Sequence, residues 1–249
     1  MINFLKDRKN LVIILLGLLF AIKGTQEGFR FAIWVISGVL LCSILDLLIN
    51  HLSLKRAIFP NSAIISGFIV SGILDYRQPW FILVIFSTLA ILSKHIIRFK
   101  HRHIFNPANF SLFMATLFKI PLTWNIESNV FLIIIFGLYF AYAYRKFPQI
   151  LGFLSIFISL FIISGIKPFG IISLFFLFIM LIEPKTSGYG MFKGFIFGSI
   201  AGITSFLTFR FMPRYDIFVS SLFLANLFNP ALKKYLHASN DISKELKGV

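Results

Sequence analysis

The run Phe31-Ala32-Ile33-Trp34-Val35-Ile36-Ser37-Gly38-Val39-Leu40-Leu41-Cys42-Ser43-Ile44-Leu45-Asp46-Leu47-Leu48-Ile49 carries one charged side chain, Asp46, and no alternation of apolar and polar positions. In hydrocarbon only helices and closed barrels satisfy every backbone hydrogen-bonding group, and barrel strands alternate between lipid-facing and lumen-facing residues. A continuous apolar run of this length therefore predicts a membrane-crossing helix. Nine further runs read the same way, so the full set is 11–22, 31–49, 58–74, 80–93, 104–118, 129–144, 147–166, 168–182, 194–209 and 217–232. Several fall short of the roughly 20 residues that a hydrocarbon core of about 30 Å demands. Those are expected to continue into polar flanks or to be half-helices that stop inside the protein.

The composition agrees. Of 249 residues, 58% are hydrophobic, 17% aromatic and 13% charged, with a mean hydropathy of +0.88. A soluble domain is about 45–50% apolar and about 25% charged, so that class is excluded, as are disordered, collagenous and coiled-coil chains. The expected fold class is all-α, a polytopic membrane protein. A net charge of +15 would suggest nucleic acid in a soluble chain, but here the Lys and Arg sit in short clusters between apolar runs, as topology signals do. No nucleic-acid partner is expected; membrane lipid is. The one cysteine, Cys42, excludes an intrachain disulfide and any cysteine-based metal centre. Lys23-Gly24-Thr25-Gln26-Glu27 after the first run lacks the small-residue pattern of a cleavage site, so that run reads as a retained span.

With the N-terminus on the cytoplasmic side and one crossing per run, 17 of the 24 Lys and Arg fall on that side and 7 on the other. This asymmetry predicts ten spans with both termini cytoplasmic, in the cytoplasmic (inner) membrane. An internal echo points to duplication. Phe105-Asn106-Pro107-Ala108 recurs as Phe228-Asn229-Pro230-Ala231 after 123 residues, and Pro60-Asn61-Ser62 has a counterpart in Pro184-Lys185-Thr186-Ser187 after 124. Two five-span halves would lie in opposite orientations, predicting an inverted repeat over residues 1–124 and 125–237 with a basic tail at 238–249.

Inverted-repeat folds place their sites near the midplane, at helix breaks. Pro60, Pro107, Pro184 and Pro230 are natural breakers, because proline lacks a backbone donor and disfavours helix in the preceding residue. Asn106 and Asn229 then either cap half-helices or offer amides to a polar ligand, with Thr186 in the matching Pro-x-Thr element. Ionisable residues inside spans cost about 2.5–3.5 kcal/mol on insertion scales. Asp46 and Glu183 are the two to explain, by pairing or capping, or as an ion pathway and ligand site. His95, His101 and His103 lie among Lys94, Arg98, Lys100 and Arg102. That stretch reads as a loop facing lipid phosphates rather than a metal site. Gly194, Gly198 and Gly202, one turn apart, read as a helix-packing face. No phosphate-binding, dinucleotide-binding, zinc-protease or serine-hydrolase motif is present.

Three ordered elements together resemble the RnfD/NqrB membrane family, whose members belong to Rnf-type electron-transport complexes and to the sodium-translocating NADH:quinone oxidoreductase. They are His103-Ile104-Phe105-Asn106-Pro107-Ala108-Asn109-Phe110, Phe178-Ile179-Met180-Leu181-Ile182-Glu183-Pro184-Lys185-Thr186-Ser187, and Leu222-Phe223-Leu224-Ala225-Asn226-Leu227-Phe228-Asn229-Pro230. The resemblance implies a ten-helix inverted-repeat bundle similar to the urea-transporter fold. It also implies partner subunits of an Rnf/Nqr-like complex that couples electron transfer to ion movement. The family's Ser-Gly-Ala-Thr flavin-attachment element is absent, and the loop 119–128 holds only Thr123. No covalent FMN is therefore expected, and FMN or riboflavin would be held non-covalently. The alternatives are a stand-alone channel or carrier for a small solute, and a membrane scaffold for a partner.

Overall fold

The computed structural model describes residues 8–54, 59–99, 102–183 and 190–230. In chain order these form α1 (Arg8–Glu27), α2 (Phe29–Leu54), α3 (Asn61–Ile73), α4 (Trp80–Ile96), β1 (Arg98–Phe99), β2 (Arg102–His103), α5 (Pro107–Leu117), α6 (Val130–Ala143) and α7 (Phe147–Ile163). A 3-10 turn (Pro168–Gly170), a π-helical segment (Phe176–Met180), α8 (Met191–Phe211) and α9 (Ile217–Leu227) follow. Each predicted apolar run overlaps a helical element. The fold is helical apart from β1 and β2, an antiparallel pair with Arg98 opposite His103, in a stretch expected to be a plain loop.

Among the described residues three helices, α1, α2 and α8, are long and apolar enough to cross a membrane. By contrast α3, α5, α6 and α9 have 13, 11, 14 and 11 residues. At 1.5 Å per residue they extend about 17–21 Å, short of the roughly 30 Å core. The outer surface suits lipid: on α2, Ile36, Leu40, Ile44 and Leu48 are exposed while Trp34, Val35, Cys42 and Asp46 are buried. A wide apolar face turned outward is the reverse of a soluble helix. Lipid is as apolar as leucine, so close packing rather than burial from water must hold such helices together. Between α7 and α8 glycine supplies that packing. A Cβ at Gly198 would overlap the Gln149 carbonyl oxygen, and one at Gly152 the Phe195 carbonyl oxygen. The expected packing face thus includes a Gly152 partner on the facing helix. A ladder of Phe153, Phe157 and Phe161 fills the interior and meets Phe176 and Phe218.

In the first half of the chain α1 packs on α3, α2 on α4, and α4 on α5; in the second, α6 packs on the π segment, α7 on α8, and α8 on α9, whereas the close packing of α2 on α3 has no equally close parallel between α7 and the π segment. Contacts between the halves include α1 with α6 and α5 with α9. At the second crossing Asn109 Nδ2 donates to the Val219 carbonyl, 110 residues away, at 3.2 Å. Phe113 stacks on Phe223 at a centroid distance of 3.8 Å, and these too are 110 residues apart. Asn106 stands at the start of α5, and Asn229 begins the helical turn that follows the end of α9 at Leu227; the residue that caps the start of α9 is Asp216, 110 residues after Asn106.

Candidate functional site

A cavity of about 420 Å³ opens at the end of the bundle where α1 begins. Its wall is built from four local decisions. Asn106 is extended (φ −62°, ψ 124°) and its Oδ1 accepts the Asn109 N–H at 3.1 Å, which starts α5; Pro107 then occupies the first helical position, where no donor is needed. Pro60, buried, starts α3 with its carbonyl accepting from Ala63 and Ile64, and the first turns of that helix present Ser62, Ile65, Ser66 and Ile69 to the cavity. The π segment widens the helix so that the Leu181 N–H reaches the Phe176 carbonyl at 2.9 Å. Phe178, Ile179, Ile182 and Glu183 line the cavity from there. Finally the end of α6 contributes Phe140 and Tyr144, and the start of α1 contributes Arg8 and Lys9, with the Arg8 guanidinium 5.2 Å from the Tyr144 ring centroid.

Lys94 and His103 complete the lining. Lys94 is held by a carboxylate: its Nζ donates to Asp46 Oδ1 at 2.6 Å, and His95 Nε2 lies 2.9 Å from the same oxygen. Arg98 Nη2 is 3.2 Å from His95 Nδ1. A guanidinium can only donate, so Nδ1 accepts and Nε2 carries the proton that Asp46 receives. Asp46 is 2% exposed. Of the two readings left open for it, the structure places Asp46 in an ion pair between α2 and α4. This corrects the reading of the Lys94 to His103 stretch as a loop facing lipid phosphates where Lys94 and His95 are concerned. The Lys94 and His95 side chains are in α4, and the partner lies 48 residues before Lys94 on the helix packed beside them. His101 lies outside the described residues.

Glu183 lines the same cavity as Asn106 and Pro107, although 77 residues separate Glu183 from Asn106 in the chain. Asn229, 1% exposed, donates from Nδ2 to the Ile104 carbonyl at 3.0 Å and to Asn226 Oδ1 at 2.8 Å. It therefore braces the segment leading into Asn106 and does not line the cavity. Asn229 and Pro230 begin a helical turn beyond α9. Pro184 and Thr186 lie outside the described residues. Lys146, buried in the α6–α7 turn, has its ammonium pushed down to about 8 by burial, with Glu183 opposing the shift.

A second cavity, of about 680 Å³, lies at the opposite end of the bundle. Glu127 and Asp216 both line it, and both serve helix starts. Glu127 Oε1 accepts from the N–H groups of Leu174 and Phe175 at 2.7 and 3.3 Å. Asp216 Oδ1 accepts from Phe218 and Val219 at 3.0 and 2.9 Å, and its Oδ2 accepts from Trp124 Nε1 at 2.7 Å. Sequence reading missed Arg8, Lys9, Lys94, Ser62 and Ser66 at the first cavity, and Glu127 and Asp216 at the second. One signal was available: a lone carboxylate within an apolar helix demands a cation at its own depth. No family model matches the chain, and no curated protein matches it significantly.

Proposed function

We propose that this chain is an RnfD/NqrB-like integral membrane protein of a redox-linked complex, built as two inverted five-helix repeats, that holds a flavin non-covalently in the cavity at the Arg8 end. The observation that carries the reading is convergence. Of the three ordered sequence elements, one supplies Asn106 and Pro107 to the cavity, another supplies Phe178, Ile179, Ile182 and Glu183, and the third braces Ile104 through Asn229. The repeat is supported by the neighbour relations that the two halves share and by the contacts Asn109 with Val219 and Phe113 with Phe223.

The residues present fit the group. A cavity of about 420 Å³ is within the range of about 300–1,000 Å³ that holds cofactor-sized ligands. Ile65, Ile69, Phe140, Phe178 and Ile179 form an apolar slot for a planar ring, and Ser62, Ser66 and Asn106 give it polar edges. A bound flavin supplies one- and two-electron redox chemistry; the chain's own part is to bind and orient it and to exclude water. The only threonine of the loop 119–128, Thr123, lies at the other end, where its N–H donates to the Ile73 carbonyl at 2.8 Å. The protein purified in detergent should show flavin absorbance, natively or after addition of FMN or riboflavin. A preparation that stays colourless with both would sink the reading.

One observation favours a second reading, a carrier for a small solute on the same scaffold. Cavities open at both ends of the bundle, with Phe153, Phe157, Phe161, Phe176 and Phe218 packed in the interior. Uptake of small amides or riboflavin into proteoliposomes no faster than into empty liposomes would count against it.

A further inference from the structure

The two cavities hold the same kinds of helix start but opposite charge. At the far end, carboxylates of Glu127 and Asp216 receive the first N–H groups of the helix entering the π segment and of α9. At the Arg8 end the matching starts, those of α3 and α5, follow Pro60 and Asn106, which carry no charge. The cavity wall there instead brings in Arg8, Lys9 and Lys94 with His103, against Glu183 and against Asp46, which holds Lys94 from behind the wall and leaves the basic groups in excess by one. Negative charge is favoured where backbone N–H groups and cationic side chains converge, and an apolar floor lowers the dielectric and strengthens that preference.

We infer that the cavity at the Arg8 end recognises a phosphate monoester carried on an apolar body, its anionic oxygens set among Arg8, Lys94 and the start of α5, where the far cavity has carboxylates of its own. For the flavin occupant, on whose reading this form rests, the ligand is then FMN rather than riboflavin. The same chemistry is offered by a lipid phosphate. Arg8 suits this role because its guanidinium lies over the Tyr144 ring at the cavity rim and carries five donors for anionic oxygens.

The test measures quenching of flavin fluorescence by the full-length protein in phosphatidylcholine nanodiscs, titrated with FMN and with riboflavin. FMN should bind about tenfold or more tightly than riboflavin, the size of a charge-assisted pair, and the preference should fall to near one in Arg8→Gln and in 0.5 M salt. Thermal midpoints are measured in parallel with n-dodecyl phosphate against dodecanol, and in nanodiscs containing phosphatidic acid. If neither flavin binds but the phosphate amphiphile or phosphatidic acid raises the midpoint of wild type and not of Arg8→Gln, the flavin reading fails and the phosphate site stands, with lipid as its source. Equal binding of FMN and riboflavin, unchanged by Arg8→Gln, overturns the phosphate site and leaves the flavin reading intact. No flavin binding and no phosphate-dependent shift overturns both.

Discussion

Arg8, Lys9, Lys94 and His103 border the cavity at one end of the bundle; Glu127 and Asp216 border the one at the other. The difference lies in how each half of the chain closes its structure. In the second half α7 meets α8 through Gly152 and Gly198, with backbone against backbone, and carboxylates satisfy the helix starts. In the first half α2 and α4 are joined by Asp46, Lys94 and His95. One half therefore closes on glycine contacts and carboxylate caps, whereas the other closes on a buried ion pair beside a cavity that Arg8 and Lys9 border. The contrast teaches that helix pairs of one bundle can be held by two different chemistries, and that the basic side chains gather beside the ion-paired one.

The contrast can be broken at its most costly point first. Asp46→Ala leaves Lys94 buried without its carboxylate and is expected to destabilise the protein by about 3–5 kcal/mol, read as a lowered thermal midpoint in detergent. Adding Lys94→Met to the same chain should recover most of that loss, which a purely steric role for Asp46 would not allow. In the other half, Gly198→Ala should push α8 off the Gln149 carbonyl and cost about 1–3 kcal/mol, whereas Gly17→Ala, with open space around it, should change little.

Smaller effects sharpen the comparison. Asp216→Ala removes the cap of α9 and the acceptor for Trp124, and is expected to cost about 1–2 kcal/mol; Asp216→Asn should keep most of it, because an amide oxygen also caps. Asn106→Asp gives the first half the carboxylate that the second half has. It should leave the thermal midpoint unchanged or slightly higher and reduce phosphate-dependent binding about tenfold. The last change concerns pH. Burial lowers the Lys146 ammonium to about 8 in the fold from 10.5, so its cost is fully present below pH 8 and fades as the pH rises to 10.5. Lys146→Met should accordingly be more stable than wild type at pH 7, with the difference disappearing by pH 10.5 in chemical denaturation.

Much of the fold is legible in the sequence because its signals are local. Asn106-Pro107 marks a helix start, Asn129 caps α6 through the Leu132 N–H, and apolar runs mark helices wherever lipid is the solvent. The glycine spacing of α8 is legible for the same reason. Its partner Gly152 is not, since nothing on α8 indicates which helix will face it. The contacts that join α5 to α9 pair residues 110 apart, Asn109 with Val219 and Phe113 with Phe223, a spacing that the 123–124-residue motif echo does not indicate. Asp46 stands out in the sequence as needing an explanation, but its partners Lys94 and His95 read locally as part of a loop. Depth in the bundle, which pairs them, is set by how α2 and α4 cross.

By itself the sequence determined a helical membrane protein with frequent breaks, because hydrocarbon forces each segment to satisfy its own backbone and proline and asparagine act within one turn. Only the tertiary structure decided that Arg8, Lys94, Asn106 and Glu183 meet around one cavity, that the cavity at the other end is bordered by Glu127 and Asp216, and that residues 110 apart meet where α5 crosses α9. Those outcomes depend on which surfaces pack at van der Waals distance. Helices equally apolar on most faces do not specify that choice one segment at a time.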